Sequence, residues 1–82
     1  MNTFFALMAE YGTAQIPVER CAHLFGFEPK EATRRAALHR LPVPAFRVGT
    51  QKSPWLVDAA KLAQHLDDIK AKAQTEWEKM RA

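Results

Sequence analysis

The sequence has a single cysteine, Cys21, and no long run of apolar residues. One thiol cannot form a disulfide within the chain, and the three scattered histidines lack the paired Cys and His spacing of a zinc site. No apolar run approaches the roughly 20 residues of a membrane-spanning helix, and the N-terminus has no basic region before a long apolar one. We therefore expect a cytoplasmic protein with no membrane contact, no metal and no other cofactor.

The residue arrangements that catalysis requires are also missing. No glycine-rich phosphate loop occurs, and the acidic residues are scattered over predicted helix surfaces. Neighbouring carboxylates such as Asp67 and Asp68 point in different directions on a helix, so they cannot act as an acid–base pair. Cys21 falls on an apolar helical face with no neighbour that would lower its pKa. We expect neither an enzyme nor a small-molecule substrate.

Positive charge is concentrated in the middle of the chain, although the net charge of the 82 residues is only +3. Six basic and two acidic residues lie between Glu28 and Ser53, which gives that segment a local charge of +4. The segments on either side are close to neutral. A basic cluster of this kind is typical of a nucleic-acid-binding surface.

Helix start and stop residues predict four helices. The first covers residues 4–11 and ends at Gly12, and the second has Pro17 at its first helical position and ends at Gly26. The third runs from Pro29 to about His39, and the last is capped by Asp58 and continues toward the C-terminus.

Short strands are predicted before the second helix and after the third. Residues 45–48 and 54–57 should form a hairpin around the polar turn 49–53, and residues 14–16 a brief extra strand. The chain shows no repeat and no linker, so residues 1–82 form one domain. The expected fold is mainly α with a small β-hairpin wing, a winged helix-turn-helix with a long C-terminal helix.

The candidate DNA-binding residues lie on the third helix and in the hairpin turn. Arg34 can hold two acceptors of a guanine, whereas Lys30 suits a phosphate. Arg35 could instead pair with Glu31. Arg40 could contact a phosphate beside the helix end, or it could serve only to stabilise the negative end of the helix dipole. The full set is Lys30, Thr33, Arg34, Arg35 and Arg40 from the helix region, and Arg47, Thr50, Gln51, Lys52 and Ser53 from the wing. Arg47 could also brace the hairpin, and Trp55 is expected in the core.

The last helix, residues 58–82, carries an apolar stripe longer than one small domain can cover. Its members are Leu62, Leu66, Ile69, Ala73, Trp77 and Met80. A second copy of the chain would cover this stripe, and the dimer would place two copies of the third helix on one duplex. The alternative is that the N-terminal helix, through Phe4, Phe5 and Met8, folds back over the stripe.

Two families resemble this sequence. Residues Ile16–Gly26, Arg40–Pro42 and Phe46–Gly49 resemble the excisionase and MerR-like winged-helix domains. A closer resemblance, to the pyocin activator protein family, is carried by Met1–Thr3, Pro29–Ala32, Leu41–Arg47, Lys52–Val57 and Trp77–Met80. The second resemblance spans nearly the whole chain, and its segment from Pro42 to Trp55 is fairly specific.

The closer resemblance implies a bacterial or prophage-linked activator that binds promoter DNA of bacteriocin or phage-like genes. The broader family implies contacts at Lys30, Thr33, Arg34 and residues 50–53. Pro29 and Ala37 depart from this pattern, because winged relatives often have basic residues there.

The leading hypothesis is a homodimeric transcriptional activator that binds double-stranded DNA, with RNA polymerase as a further partner. One alternative is an excisionase-like architectural protein that bends DNA for recombination. Another is an adaptor that docks through its C-terminal helix, with basic residues serving only solubility. Binding driven by phosphate contacts would weaken steeply with added salt, which distinguishes DNA binding from the adaptor.

Overall fold

The computed structural model describes residues 2–50 and 52–81. Gln51, one of the predicted wing contacts, lies outside the described residues. In chain order the elements are α1 (Thr3–Tyr11), β1 (Gln15–Pro17), α2 (Val18–Cys21), a 3₁₀ turn (Ala22–Phe25), α3 (Pro29–Ala37), β2 (Ala45–Phe46), β3 (Leu56–Asp58) and α4 (Ala59–Arg81). The architecture is mainly α with a small sheet and a long C-terminal helix, as predicted.

The sheet has three antiparallel strands with β3 in the centre. On one side Ile16 of β1 lies opposite Val57, and on the other side Ala45 of β2 lies opposite the same residue. Ile16 and Val57 are fully buried. The predicted hairpin is therefore present as β2 and β3, and the predicted brief strand, β1, is the third strand of the sheet.

Small residues let the helices pack closely against this sheet. Ala32 and Ala36 of α3 are both fully buried, which places the inward side of α3 against α2 and the sheet. Cys21 is buried as expected, and this burial raises the pKa of its thiol to about 11. The core comprises Leu7, Tyr11, Ile16, Val18, Cys21, Ala22, Ala32, Ala36, Val43, Val57, Ala59, Leu62 and Ala63.

The two helical segments of the helix-turn-helix end in the same way. Gly26 has φ 80°, its N–H bonds the His23 carbonyl, and the N–H of Phe27 bonds the Ala22 carbonyl. The same pattern ends α3. His39 has φ 56°, its N–H donates to the Ala36 carbonyl, and the N–H of Arg40 donates to the Arg35 carbonyl. Each segment is thus closed by a left-handed residue that satisfies its terminal carbonyls.

Several predicted boundaries were wrong by a few residues. Pro17 ends β1 and precedes the helix, whereas it was expected at the first helical position. The second helix is one short turn of α-helix followed by a 3₁₀ turn, and α3 ends at Ala37. The hairpin strands are shorter than predicted, since β2 stops at Phe46 and β3 begins at Leu56.

α4 extends well beyond the domain. From Asp67 to Arg81 every residue is exposed, a length of about 20 Å at 1.5 Å per residue. α1 packs beside the preceding part of α4, and the Thr3 hydroxyl donates a hydrogen bond to Asp67. In the described chain, α1 therefore covers α4 only as far as about Asp67. Among residues 2–50 and 52–81, no helix has the length and apolar character needed to cross a membrane.

Candidate nucleic-acid interface

The outward side of α3 is basic at one end and apolar at the other. Lys30 and Arg34 lie one turn apart on the side opposite Ala32, and both are exposed. Ala37 and Leu38 continue this side toward the end of the helix, and Leu38 remains 48% exposed. The face therefore offers two cations and a small apolar surface, the groups that recognise phosphates, guanines and thymine methyls.

One carboxylate engages both arginines of α3. Glu31 accepts two hydrogen bonds from the Arg34 guanidinium, at 3.0 Å from Nε and 2.8 Å from Nη2. The Nε of Arg35 donates to the same carboxylate at 2.9 Å. The hydrogen bonds from Arg34 above all lower the pKa of Glu31 to about 2, and the same contact raises the pKa of Arg34. The pairing of Arg35 with Glu31 was predicted as an alternative, whereas that of Arg34 was missed.

Arg35 has a second contact on the domain itself. Its guanidinium lies 4.3 Å from the centre of the Phe27 ring, in the turn before α3. Its side chain is also less exposed than that of Arg34, at 35% against 59%. These contacts direct Arg35 toward the protein, so Arg34 is the arginine better placed to reach a ligand.

Thr33 lies beside an acidic residue that sequence reasoning did not include. Its hydroxyl donates to the Pro29 carbonyl at 3.0 Å. Thr33, Lys30 and Pro29 line a shallow groove together with Glu19 of α2. The first turn of α3 and Glu19 of α2 therefore form a groove of mixed charge, in which Lys30 supplies the positive charge.

The wing is a tight polar turn. The Ser53 N–H donates to the Thr50 carbonyl at 2.9 Å, and the Lys52 N–H to the Thr50 hydroxyl at 3.3 Å. A Cβ at Gly49 would lie 2.6 Å from the Ser53 hydroxyl oxygen, so a side chain at this position would require Ser53 to move. Lys52 is exposed at the tip.

Trp55 connects the start of α2, the end of α3 and the base of the wing, a role that its sequence position did not indicate. Its carbonyl accepts from the Val18 N–H at the start of α2, at 2.8 Å. The His39 ring lies nearly perpendicular to its indole with the ring centres 6.1 Å apart, and the Arg47 guanidinium lies over the indole ring at 4.5 Å from its centre. The end of α3 and the base of the wing therefore meet at one side chain. Trp55 is half-buried against the core, close to its expected position.

The predicted residues thus fall into three groups. Arg40 and Arg47 are both exposed; Arg40 directly follows His39 in the chain, and Arg47 lies over the Trp55 ring. Lys30 and Arg34 lie farther along α3, and Lys52 lies at the tip of the wing. In the predicted dimer stripe, Leu62 is fully buried in the core and Leu66 packs against it, so the surface open to a partner begins at Ile69.

A short helix, a tight turn, a second helix with a basic outer face and a β-hairpin together define a helix-turn-helix with a wing. The family model described as "Pyocin activator protein PrtN" matches residues 3–73, and the chain belongs to this family. The family is a regulatory one, as its description as an activator states. No curated protein and no solved structure gives a significant match.

Proposed function

We propose that this protein is a DNA-binding transcriptional activator of pyocin-type genes, with α3 in the major groove and the wing on neighbouring phosphates. Membership of the pyocin activator family supports the regulatory part of this proposal. The contacts at Trp55 support the mode of binding, because they hold the end of α3 and the base of the wing together. A duplex that meets one element is then within reach of the other.

The chemistry of the exposed groups assigns their roles. Arg34 lies on the outer face of α3 and is mostly exposed, so its planar guanidinium is the group proposed to read a guanine. Lys30 and Lys52 are exposed point charges, which suits phosphate contacts that carry no sequence information. Thr50 and Ser53 form the turn that presents Lys52. Arg35, Arg40 and Arg47 would add positive potential around the groove.

The active species is proposed to be a homodimer. Ile69, Trp77 and Met80 are 48%, 53% and 87% exposed on the part of α4 that extends past α1. Large apolar side chains aligned in this way are costly to leave in water, and a second copy would bury them. Two copies would also present two α3 helices to one duplex. RNA polymerase remains the proposed target of activation.

Binding to a pyocin promoter fragment and to random DNA of the same length tests the proposal. We expect tighter binding to the promoter, and affinity for both that falls by at least tenfold between 50 and 200 mM salt, about the loss expected from a few phosphate contacts. Equal affinity for the two fragments would contradict sequence-specific regulation.

The two alternatives give different results in the same series. An adaptor would capture a protein partner without DNA and with little salt dependence. An excisionase-like protein would act in a recombination assay and leave a promoter reporter unchanged. Either outcome would contradict the proposal that this protein is a transcriptional activator.

A further inference from the structure

Leu38 is a large apolar side chain left open to solvent at the end of the proposed DNA-binding helix. It is 48% exposed, and no other leucine among the described residues is classed with it as exposed. Leu41, three positions further on, packs against the core. The core therefore takes up the leucine that follows α3 and leaves Leu38 outside.

The backbone holds Leu38 on the outer face of α3. Its N–H donates to the Arg34 carbonyl at 3.2 Å, which continues the helical hydrogen bonding by one residue. Ala36, two positions earlier, is fully buried, and two positions on a helix correspond to nearly opposite sides. His39 then adopts the left-handed conformation with φ 56°, so the helix ends there. Leu38 is thus the last residue on the outer face.

Leu38 continues the line of Lys30 and Arg34 along α3. The three residues are four positions apart in the sequence. Each therefore lies about 6 Å beyond the previous one on the same side of the helix. The nine residues of α3 make a helix about 13 Å long, close to the roughly 12 Å width of the major groove. A duplex that Arg34 contacts in the proposed complex would therefore also meet Leu38.

We infer that Leu38 recognises the C5-methyl group of a thymine near the base read by Arg34. The inference rests on the proposed function and adds a second base to it. The edges of the bases in the major groove display hydrogen-bonding groups, and thymine adds an apolar methyl group. A leucine against polar base edges would cover groups that it cannot bond, which is costly. Against a methyl group, it removes the apolar surface of both partners from water.

The neighbours of Leu38 suit this contact. Ala37 is exposed and has only a methyl group as its side chain, so it permits a close approach of the helix to the bases. The His39 ring lies against Trp55, with the ring centres 6.1 Å apart. The cations on the same side of α3 favour a polyanion over an apolar protein surface as the occupant.

Promoter DNA made with deoxyuridine in place of thymidine tests the inference. Uracil keeps the base pairing and the O4 acceptor of thymine and lacks the C5-methyl group, and replacing every thymine requires no knowledge of the binding site. The proteins are wild type, Leu38→Ala, Leu38→Met and the control Phe5→Ala. Phe5 is an apolar side chain of α1 that is 60% exposed, outside the helix-turn-helix and the wing. Circular dichroism confirms that each variant is folded.

We expect wild type and Phe5→Ala to bind the thymine promoter about fourfold more tightly than the uracil promoter, the effect of burying one methyl group. Leu38→Ala should bind both promoters about as weakly as wild type binds the uracil form. Leu38→Met keeps a large apolar side chain and should retain the preference for thymine. Fluorescence anisotropy measures all of these affinities.

An equal preference for thymine in wild type and Leu38→Ala would overturn the inference, because another residue would then contact the methyl group. Equal binding of the two promoters by wild type would overturn it as well. So would a Leu38→Ala variant that binds both forms like wild type and fails in a promoter reporter, since Leu38 would then face a protein partner. The proposed function is tested separately, by wild type on thymine-containing promoter and random DNA. Equal binding there contradicts that function, whereas loss of the thymine preference alone leaves it intact.

Discussion

At the scale of single residues, Glu31 is the group that most constrains the proposed interface. One carboxylate holds Arg34 through two hydrogen bonds and Arg35 through one. To reach a guanine, Arg34 must leave this partner. Glu31 therefore aligns the guanidinium in the free protein and, in the proposed complex, would compete with DNA for it.

Removing this competitor should strengthen DNA binding. Glu31→Gln is expected to raise promoter affinity by about fivefold, because a charge-assisted contact no longer competes with DNA for Arg34. Glu28→Gln is the matched control, because Glu28 precedes the same helix and its side chain makes no capping hydrogen bond. Fluorescence anisotropy measures both. An equal gain in the two variants would indicate a general charge effect, and a loss for Glu31→Gln alone would mean that the carboxylate itself contacts DNA.

The same carboxylate makes stability depend on pH in a defined range. Its pKa is lowered to about 2 by Arg34 and Arg35, against an ordinary value of 4.5. The unfolded chain binds this proton first as pH falls, so the contribution is complete above about pH 4.5 and is lost toward pH 2. Thermal unfolding between pH 6 and pH 2 should show a larger loss for wild type than for Glu31→Gln. Parallel curves would mean that the contacts of Glu31 do not stabilise the fold.

Residue types predicted the local pairing only in part. Arg35 lies four residues from Glu31 and Arg34 lies three, and both spacings bring side chains together on a helix. Sequence reasoning assigned the first pair because Arg34 was assigned to DNA. Which arginine a carboxylate engages depends on rotamers and on neighbours such as Phe27, which come from the folded turn.

At the scale of elements, the end of α3 shows how a tight turn can be missed. The third helix was expected to run to about His39, but α3 ends at Ala37. His39 itself adopts the left-handed conformation that closes the helix, with φ 56°. Glycine usually occupies such a position, so a histidine there gives little indication of a helix end. Gly26, by contrast, was recognised and does end the preceding segment.

Two substitutions at His39 isolate this backbone conformation. Both His39→Gly and His39→Ala remove the ring contact with Trp55, and they differ in tolerance of positive φ. We expect the glycine variant to be more stable than the alanine variant by about 1 kcal/mol. Urea unfolding gives the difference. An alanine variant as stable as the glycine variant would mean that the turn relaxes out of the left-handed conformation.

The sheet was predicted less well than the helices. Helix boundaries depend on residues within a few positions, such as Gly12, whose left-handed conformation ends α1. The strands are two or three residues long, and the pairing of Ile16 with Val57 joins distant parts of the chain. Patterns this short carry little periodicity, so the hairpin was predicted and the place of β1 beside β3 was not.

At the scale of the whole molecule, the order of elements predicted the fold correctly. The packing of α1 decides how much of the long helix is left open, and the sequence left this question undecided. α1 has nine residues and runs beside α4 no farther than about Asp67. The apolar residues beyond that point are consequently exposed, and the dimer proposal depends on them.

The proposed DNA surface likewise depends on how distant segments meet. Arg34 and Lys52 are 18 positions apart in the sequence. Trp55 brings the wing base to the end of α3, a contact that neither segment predicts alone. The central claim is that these two cations act on the same duplex.

The most direct test is the binding of wild type, Arg34→Ala, Lys52→Ala, the double variant and Lys61→Ala to promoter and random DNA at several salt concentrations. Arg34→Ala should cost about 1 to 3 kcal/mol on the promoter and less on random DNA. Lys52→Ala should weaken both alike and reduce the salt slope by about 1. Lys61, exposed on the first turn of α4, is the control and should have no effect. A double variant that binds the promoter as tightly as wild type would contradict the account.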